Sequence, residues 1–429
     1  MDYNQTIDYL YTHLPMYQRI GAAAYRKDLT NIKALCKVLK QPQNQLRTIH
    51  IAGTNGKGSV SHGLASILQQ AGYKTGLYTS PHLIDFRERI RIDGQMIDRK
   101  TVVEFVELIK NDIKQIDASF FEITTAMAFY YFEQQKVDIA VIETGLGGRL
   151  DSTNIITPLL AVITNISYDH QNLLGNTLAE IATEKAGIIK FNVPTIVGET
   201  HPETEEIFIN VANEKRSLIK FADTIFEAKR ASERVHVQTF KVLKNKKIYF
   251  DALSIDLKGN YQQKNVQTIL AATEKLINMG FGIQDQHIEK GLKNVQQQTG
   301  LMGRWQTLQQ NPHTICDTGH NEAGIKMVIE QLESMKPKNL HIVFGMVNDK
   351  PAQTILKLLP KNAQYYFCQA QTPRALDSQI LANEAKNIHQ LIGEAYKTVE
   401  DALKAAQKNY QHGDIIFVGG STFVVAEVI

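Results

Sequence analysis

A glycine-rich segment carries the strongest chemical signal of the sequence: Gly53-Thr54-Asn55-Gly56-Lys57-Gly58-Ser59. It follows the apolar stretch 49–52 and opens an amphipathic one, so we predict that it joins a strand to a helix. The backbone N–H groups of such a loop surround phosphate, the helix N-terminus adds positive potential, and Lys57 adds a point charge. Ser59 can ligate the Mg²⁺ that accompanies ATP. The alternative is a glycine-rich turn that binds nothing.

Three further residues could do chemistry. Glu143 ends the apolar stretch 137–142, and a carboxylate at the carboxyl end of a strand faces the ligand crevice of an α/β fold. Alone, it could equally be a capping or ion-paired acid. His170 alone is typical of a surface or helix-terminal histidine, although the neighbouring Asp169 favours a site. Lys185 lies in a helical pattern and, from that window alone, is interpreted as an exposed helical lysine.

The elements that would position these residues alternate along the chain. Short β-branched stretches alternate with longer amphipathic ones, which is typical of α/β proteins. Strands are predicted at 48–52, 75–78, 137–143, 160–164 and 195–198, with a helix at 59–71. The pattern also predicts a hairpin at 89–97, a β-rich patch at 235–257 and a helix at 263–279.

A change of pattern at 296–303 predicts a domain boundary. The alternation restarts beyond this polar run, with predicted strands at 313–317, 340–344, 364–368 and 414–418. We therefore expect an α/β protein of two domains, residues 1–298 and 299–429. The first would be a P-loop ATP-binding domain with a mostly parallel sheet, and the second a smaller Rossmann-like α/β domain.

Composition excludes several classes of protein. Of 429 residues, 43% are apolar and 21% are charged, which supports a large core and excludes disordered and low-complexity proteins. No stretch approaches the ~20 apolar residues of a membrane-spanning helix, and the N-terminus lacks a secretory pattern. Three distant cysteines, Cys36, Cys316 and Cys368, predict reduced core residues of a cytoplasmic protein. The net charge of +3, without a long basic run, indicates no nucleic-acid partner.

The glycine-rich loop departs from the common G-x-x-x-x-G-K-[ST] pattern, because it is shorter and Gly58 separates Lys57 from Ser59. Together with the preceding 50–52, it resembles the nucleotide loop of the folylpolyglutamate synthase and dihydrofolate synthase family, within the Mur ligase group. Further motifs that resemble those of this family follow in its order: 78–83 with 86–90, 143–154, 169–170, 184–187, Gln262 with Asn265, 303–304 and 317–321.

The resemblance implies a set of site residues. ATP would contact the loop 53–59 together with Asn265, Arg304 and Asp317, and the catalytic residues would be Lys57, Lys185 and His320. Two Mg²⁺ ions would be ligated by Ser59, Ser80, Glu143, His170 and Lys185, the lysine being carboxylated by CO₂. The acceptor acid would lie against Ser119, Phe120, Phe121, Glu122, Leu150, Asp151 and Ser152. For the two phenylalanines the alternative is core packing.

The same resemblance implies an ATP-dependent ligase. A carboxylate of a pteroate or folate would attack the γ-phosphorus of ATP, giving an acyl phosphate and ADP, and the amine of L-glutamate would then displace phosphate. The expected activity combines dihydrofolate synthase with folylpolyglutamate synthase, acting on dihydropteroate, folates and L-glutamate. A monomer is expected by the same resemblance.

Other interpretations stay open at this point. A folylpolyglutamate synthase alone is the nearest alternative. A cell-wall Mur ligase is disfavoured, because the loop already begins at Gly53 and the residues before it are too few for the N-terminal UDP-binding domain of those ligases. From a different class, a P-loop nucleotide switch is possible, although the sequence has no N-K-x-D motif. The segment 16–28 departs from the Leu-Gly-Leu-x-Arg string of the family, and it fits either a lid over the pterin or an ordinary helix pair.

Overall fold

The computed structural model describes residues 1–16, 19, 21, 28–233, 237–348 and 351–429. The divergent segment 16–28 therefore lies largely outside the described residues. The described chain forms two compact units. Unit 1 contains 1–16, 28–233, 237–256 and 261–301, and unit 2 contains 19, 21, 257–260, 302–348 and 351–429. The boundary predicted between 298 and 299 falls within the helix Val295–Thr299, a few residues before the chain passes from unit 1 to unit 2 for the last time, after residue 301. This boundary stays a prediction.

Unit 1 is built on a sheet whose described strands run in the order β4-β3-β2-β5-β1-β6-β7-β8. All neighbours from β2 to β8 pair in parallel, and only β3 and β4 are antiparallel. The central strands are buried along their whole length, which explains their continuous apolar sequences. The strands are β1 Thr48–Ala52, β2 Thr75–Tyr78, β3 Ile90–Ile92, β4 Gln95–Met96, β5 Ile139–Glu143, β6 Leu160–Ile163, β7 Thr195–Val197 and β8 Ile219–Phe221.

Helices cover this sheet, and a second sheet follows it. Strands β9 Phe226–Glu233, β10 Gln238–Lys244 and β11 Lys247–Ile255 form a small antiparallel sheet. The described α-helices of unit 1 are α1 Tyr3–His13, α2 Thr30–Val38, α3 Lys57–Gln70, α4 Arg99–Ile116, α5 Phe120–Gln134, α6 Gln171–Leu174, α7 Leu178–Ala186, α8 Glu205–Glu214, α9 Ala222–Ile225, α10 Gln262–Asn278, α11 Asp285–Lys293 and α12 Val295–Thr299. Short 3₁₀ helices span Pro42–Gln45, Phe86–Arg89 and Ser152–Ile155.

The predicted elements of unit 1 are largely confirmed, with informative differences. The strands predicted at 48–52 and 75–78 have the observed ends. The strand predicted from 137 begins only at Ile139, because the N–H of Val137 bonds to the carbonyl of Phe132 and still closes the preceding helix. The β-rich patch corresponds to β10 and β11, whereas β9 was missed because its sequence is polar and mostly exposed.

Unit 2 has its own sheet, with described strands in the order β12-β13-β17-β14-β15-β16. All pairs except β12–β13 are parallel. Two apolar cores lie against the sheet, one containing Trp305 and Phe344 and the other Val343 and Val418. The elements are β12 Gln306–Gln309, β13 Thr314–Asp317, α13 Glu322–Ser334, β14 Leu340–Phe344, α14 Ala352–Leu356, β15 Gln364–Cys368, α15 Ser378–His389, β16 Gly393–Tyr396, α16 Val399–Asn409, β17 Ile415–Gly419 and α17 Thr422–Ala426.

The α/β class and the two sheets predicted from the sequence are confirmed. Strands β14 and β15 have the predicted ends. Strand β13 begins one residue later than predicted, and both ends of β17 lie one residue further along the chain than predicted. Within the described residues, we find no helix with the length and apolar character needed to cross a membrane.

Candidate functional site

The glycine-rich loop links β1 to α3 in a conformation that requires its glycines. Gly56 precedes α3 with a φ of 83°, and Gly53 has a φ of 146°, both in the region that L side chains rarely adopt. A Cβ at Gly53 would also overlap the side chain of Thr164. Asn165 braces the loop, because its carbonyl accepts from Thr54 N (2.9 Å) and its side-chain oxygen accepts from Asn55 N (2.9 Å). The conformation of the loop is therefore set by its glycines and by hydrogen bonds to the segment after β6.

Lys57 folds back across this loop. Its Nζ donates to the carbonyl oxygens of Gly53 (3.1 Å) and Thr54 (3.2 Å). This position places a positive charge beside the N-terminus of α3, where phosphate-binding loops hold anions. Gly58 occupies the first turn of α3.

A chain of side chains joins Ser59 to Asn265. Ser59 is buried in the first turn of α3, and its hydroxyl accepts from Gln262 Nε2 (3.1 Å). Gln262 Oε1 accepts in turn from Asn265 Nδ2 (2.7 Å). A Cβ at Gly56 would overlap the Asn265 amide, so Asn265 lies directly against the loop. The structure thus brings together the predicted residues of the loop and of α10.

The predicted metal ligands of unit 1 follow neighbouring parallel strands. Strands β2, β5, β1 and β6 are adjacent. Glu143 is the last residue of β5, whereas Ser80, the loop 53–59 and His170 come after β2, β1 and β6, respectively. Their carboxyl ends meet at one edge of the sheet. Glu143 itself is buried and lies opposite Ile51 in the β1–β5 register. His170 comes further along its loop, with its backbone N–H bonded to Asp169 Oδ1 (2.9 Å).

Lys185 lies in this group, so the interpretation of an exposed lysine is wrong. Its side chain is only 3% exposed, and Nζ donates to the Gly53 carbonyl (2.9 Å). Burial lowers the pKa of Lys185 to about 7, and the charge of Lys57 acts in the same direction. The backbone explains the position, because Gly148 packs so closely on the end of α7 that a Cβ would lie 2.9 Å from the carbonyl oxygens of Glu184 and Lys185.

Asp151 closes the loop that follows Glu143. Its Oδ2 accepts from Leu146 N (2.8 Å), and its Oδ1 accepts from the backbone and hydroxyl of Thr153 at the start of a 3₁₀ helix. Burial raises the pKa of Asp151, which these hydrogen bonds oppose. Leu150 and Ser152 flank it and are half-buried. These contacts within the loop could not be predicted from the residue pattern.

The other predicted acceptor residues lie at the start of α5. Ser119 and Glu122 cap this helix reciprocally, with Ser119 N donating to Glu122 Oε2 (2.7 Å) and Glu122 N to Ser119 Oγ (3.3 Å). Phe120 belongs to the apolar core, under the guanidinium of Arg89 (5.1 Å). Phe121 is only partly buried. Their assignment to the acceptor stays a prediction.

In unit 2, the predicted residues cluster where β13 ends. Asp317 is buried; its Oδ2 accepts from Trp305 N (2.7 Å) and its Oδ1 from Gly319 N (2.7 Å). The guanidinium of Arg304 donates to the hydroxyl of Thr318. His320 Nδ1 lies 3.0 Å from the Thr318 carbonyl. Asp317 therefore fixes the turn that presents Arg304 and His320.

Comparison with known proteins gives a consistent result along the chain. The Mur ligase middle domain matches residues 51–273, and the Mur ligase glutamate ligase domain matches residues 303–422. The dihydrofolate synthase/folylpolyglutamate synthase of Bacillus subtilis (strain 168) is 34% identical over 416 residues, which cover 93% of this chain and 94% of the relative. The folylpolyglutamate synthase of Lacticaseibacillus casei is 33% identical, covering 88% of this chain and 87% of the relative. The solved structure of Escherichia coli FolC in complex with DHPP and ADP superposes with a TM-score of 0.84 at 29% identity, covering 100% of this chain and 97% of that one.

Proposed function

The chain belongs to the folylpolyglutamate synthase/dihydrofolate synthase family of the Mur ligases, and from this premise we propose that it is a bifunctional ligase. It uses ATP to add L-glutamate to dihydropteroate and to tetrahydrofolates. The observation that carries the proposal is the loop 53–59, with Lys57 folded across it and Lys185 bonded to Gly53. ATP is the nucleotide this loop would hold, in line with the ADP bound to the Escherichia coli relative. A cytoplasmic, monomeric enzyme without nucleic-acid or membrane partners is part of the proposal.

The donor set fits Mg²⁺. Glu143, the last residue of β5, supplies a carboxylate, Ser59 and Ser80 supply hydroxyls, and His170 supplies an imidazole. Ser80 and His170 lie in the segments after β2 and β6, and Ser59 lies in the first turn of α3, which follows the loop after β1. Bound Mg²⁺ would supply positive charge that offsets the phosphate oxygens of ATP. We assign these four residues, together with Lys185, to two metal sites.

Lys185 would enter this set as a carbamate. A buried ammonium beside Lys57 is unfavourable, and the pKa of about 7 leaves much of the amine neutral at neutral pH. The neutral nitrogen would attack the carbon of CO₂, so that an N–C bond forms while the π electron pair of one C=O bond moves to its oxygen. One N–H bond then breaks and its proton leaves to solvent. The product carries a negative charge and two oxygens, which suits a hard cation better than an amine does.

In the first step, the chain's own residues would bring together two anions, the carboxylate of the acceptor and the triphosphate of ATP. The carboxylate of the acceptor attacks the γ-phosphorus of ATP. The bond between the γ-phosphorus and the β–γ bridging oxygen breaks, and ADP leaves with the electron pair of that bond. Lys57 would offset the repulsion between these anions, with Arg304, Asp317 and His320 of unit 2 assigned to the nucleotide. The neutral amine of glutamate then attacks the acyl carbon, phosphate leaves, and the amine loses a proton.

The acceptor residues decide between the two activities. We assign Ser119, Phe120, Phe121, Glu122, Leu150, Asp151 and Ser152 to the acceptor acid. Phe121 has the partly buried ring expected of a stacking residue, whereas Phe120 is packed in the core. In this conformation the Asp151 carboxylate already accepts three hydrogen bonds, which leaves room for about one more of the four that a carboxylate accepts.

One assay tests the proposal. Purified protein with ATP, Mg²⁺ and radiolabelled glutamate is offered dihydropteroate or tetrahydrofolate in turn. Label is expected in both products, with one ADP formed for each glutamate added. Label in the tetrahydrofolate product alone would leave a folylpolyglutamate synthase. ATP turnover that needs neither glutamate nor a pteridine acid would instead identify a nucleotide switch.

A further inference from the structure

A buried hydrogen-bond chain runs from strand β1 to the loop after Glu143. His50, in the middle of β1, lies with its Nε2 2.8 Å from Thr153 Oγ1. The Thr153 hydroxyl bonds to Asp151 Oδ1 (2.5 Å), which also accepts from Thr153 N (3.0 Å). None of the three side chains is more than 3% exposed. These hydrogen bonds therefore connect the strand that enters the nucleotide loop with the loop that carries Leu150 and Ser152.

The direction of these bonds follows from the available protons. Thr153 has one hydroxyl proton, and the Asp151 carboxylate accepts it, so His50 Nε2 must carry the proton donated to Thr153. Burial lowers the pKa of His50 to about 3, with Lys190 acting in the same direction, so the ring is neutral and has a single N–H. The tautomer of His50 is thereby fixed.

This arrangement has a cost that packing alone would not require. The second ring nitrogen, Nδ1, is buried without a hydrogen-bond partner among the described residues. Leaving such a group unpaired is unfavourable, and an apolar side chain in the centre of a buried strand would avoid this penalty. His50 is therefore better explained by the bond it makes to Thr153 than by its contribution to the core.

Asp151 converts this bond into loop geometry. Its two oxygens join Leu146, near the start of the loop, to Thr153, near its end. Rotation of the carboxylate would break three hydrogen bonds at once, and the torsion that sets its plane is otherwise soft. Holding the carboxylate from the side of β1 thus fixes the backbone on which Leu150 and Ser152 are placed.

We propose that His50 and Thr153 are positioning residues for the acceptor acid, acting through Asp151 on the loop 146–153. The inference rests on the proposed function, which assigns this loop to the acceptor. Neither side chain touches substrate in this account. Their loss should weaken acceptor binding and leave nucleotide binding nearly unchanged, because the nucleotide loop is braced separately by Asn165.

The test compares three variants of the full chain. Thr153→Val replaces the hydroxyl with a methyl of similar size, whereas Thr153→Ser keeps the hydroxyl. Thr48→Val is the matched control, because Thr48 lies on the same face of β1 as His50, is 1% exposed, and has a hydroxyl without a partner among the described residues. Calorimetry measures the Kd of dihydropteroate and of ADP for each folded variant.

The expected result is selective. Thr153→Val should weaken dihydropteroate binding by about tenfold and change ADP binding by less than about twofold, while Thr153→Ser and Thr48→Val stay near the parent for both ligands. Equal weakening for both ligands, equal effects of the Val and Ser variants, or an unchanged dihydropteroate Kd in Thr153→Val would overturn the inference. If Thr153→Val fails to fold, His50→Leu replaces it with the same expected outcomes.

Two further measurements separate this inference from the proposed function. Nitrogen NMR of histidine-labelled protein should show His50 protonated at Nε2, with its signal identified by its loss in His50→Leu; protonation at Nδ1 would overturn the inference. The parent's ligation assay tests the proposed function by itself. A parent that ligates glutamate while Thr153→Val binds dihydropteroate normally would sink the inference alone.

Discussion

At the residue scale, Lys185 shows how burial determines chemistry. An ammonium removed from water is unfavourable, and Lys57 beside the same Gly53 carbonyl makes a second cation there worse. Loss of the proton would relieve both problems, in line with a Lys185 pKa lowered to about 7. The charge on this side chain is therefore set by its surroundings, and a reaction that makes it an anion would be favoured next to bound cations.

Lys185→Ala tests that conclusion. The variant should lose ligation, because it removes the proposed carbamate and its oxygen ligand, while ADP binding through the loop of Lys57 persists. Acetate or formate should restore part of the activity by occupying the vacated space. Lys185→Arg is the contrasting variant: it keeps a fixed charge, fills the space, and should not respond to either anion. The rate of labelled-glutamate incorporation, with and without each anion, provides the measurement. Full activity of Lys185→Ala without added anion would contradict the assignment.

Some of the site could be predicted from the sequence, and some could not. The loop 53–59 could be predicted from the sequence, because its glycines, its lysine and the flanking strand and helix are consecutive in the chain. Lys185 could not be placed by pattern, since its burial depends on a contact with Gly53 from a distant part of the chain. The same holds for His50, which looks like one polar residue in an apolar strand until Thr153 is seen beside it.

At the element scale, the end of α7 and the loop after β5 depend on one close approach. Gly148 lies so near the carbonyl oxygens of Glu184 and Lys185 that a Cβ would stand 2.9 Å from each. Backbone atoms cannot yield as a flexible side chain would. The last turn of α7, which carries Lys185, is therefore positioned by the absence of a side chain on the facing loop.

Gly148→Ala should displace that turn. We expect the free energy of unfolding to fall by about 1–3 kcal/mol because of overpacking. The fraction of the ligation rate that is lost should exceed the fraction of the unfolding free energy that is lost, because Lys185 moves with the backbone. Gly282→Ala is the matched control, since its Cβ would meet only Tyr73 Oη at 3.7 Å. Chemical denaturation and the labelled-glutamate assay measure the two effects. A Gly148→Ala protein with the parent's stability and rate would refute this account.

Helix α12 gives a pH-dependent prediction. The carboxylate of Asp256 accepts from Gln296 N (2.8 Å), and its other oxygen has no partner among the described residues. Burial raises the pKa of Asp256 to about 7. Between pH 4 and pH 7 the folded state thus holds a proton that the unfolded chain has released, so this group makes stability fall as the pH rises.

Asp256→Asn should remove that dependence while keeping an acceptor for Gln296. Relative to the parent, the variant should be more stable at pH 8 by roughly 1–3 kcal/mol, and the difference should shrink towards zero at pH 4. Urea denaturation at the two pH values measures it. Asp8→Asn, at an exposed carboxylate of α1, serves as the control. A difference that is the same at both pH values would contradict the assignment to Asp256.

At the scale of the whole molecule, the chain passes between its two units more than once. Residues 257–260 belong to unit 2 although α10–α12 of unit 1 come after them. Gln331, buried in α13, holds this short segment: its Oε1 accepts from Asn260 N (2.7 Å), and its Nε2 donates to the Lys258 carbonyl (3.2 Å). Unit 2 is therefore assembled from distant parts of the sequence.

Gln331→Leu should destabilise unit 2 in particular. Each backbone group loses its amide partner, at a cost of about 1–3 kcal/mol. Trp305 is the chain's single tryptophan and lies buried in unit 2, so its fluorescence reports the unfolding of that unit. We expect a lower denaturation midpoint for Gln331→Leu and a nearly unchanged one for Gln353→Leu, at an exposed glutamine of α14. Equal midpoints for Gln331→Leu and the parent would show that the segment is not held in this way.

The segment 257–260 also determines how such a chain can exchange parts with a relative by recombination. A single crossover after residue 301 would join a foreign unit 2 to the resident 257–260, and the foreign counterpart of Gln331 would meet a backbone it did not evolve with. A hybrid that inherits 257–260 together with 302–429 keeps both hydrogen bonds within one parent. Chimaeras made with the paired segments should therefore accumulate as folded protein more readily than those made with a single junction.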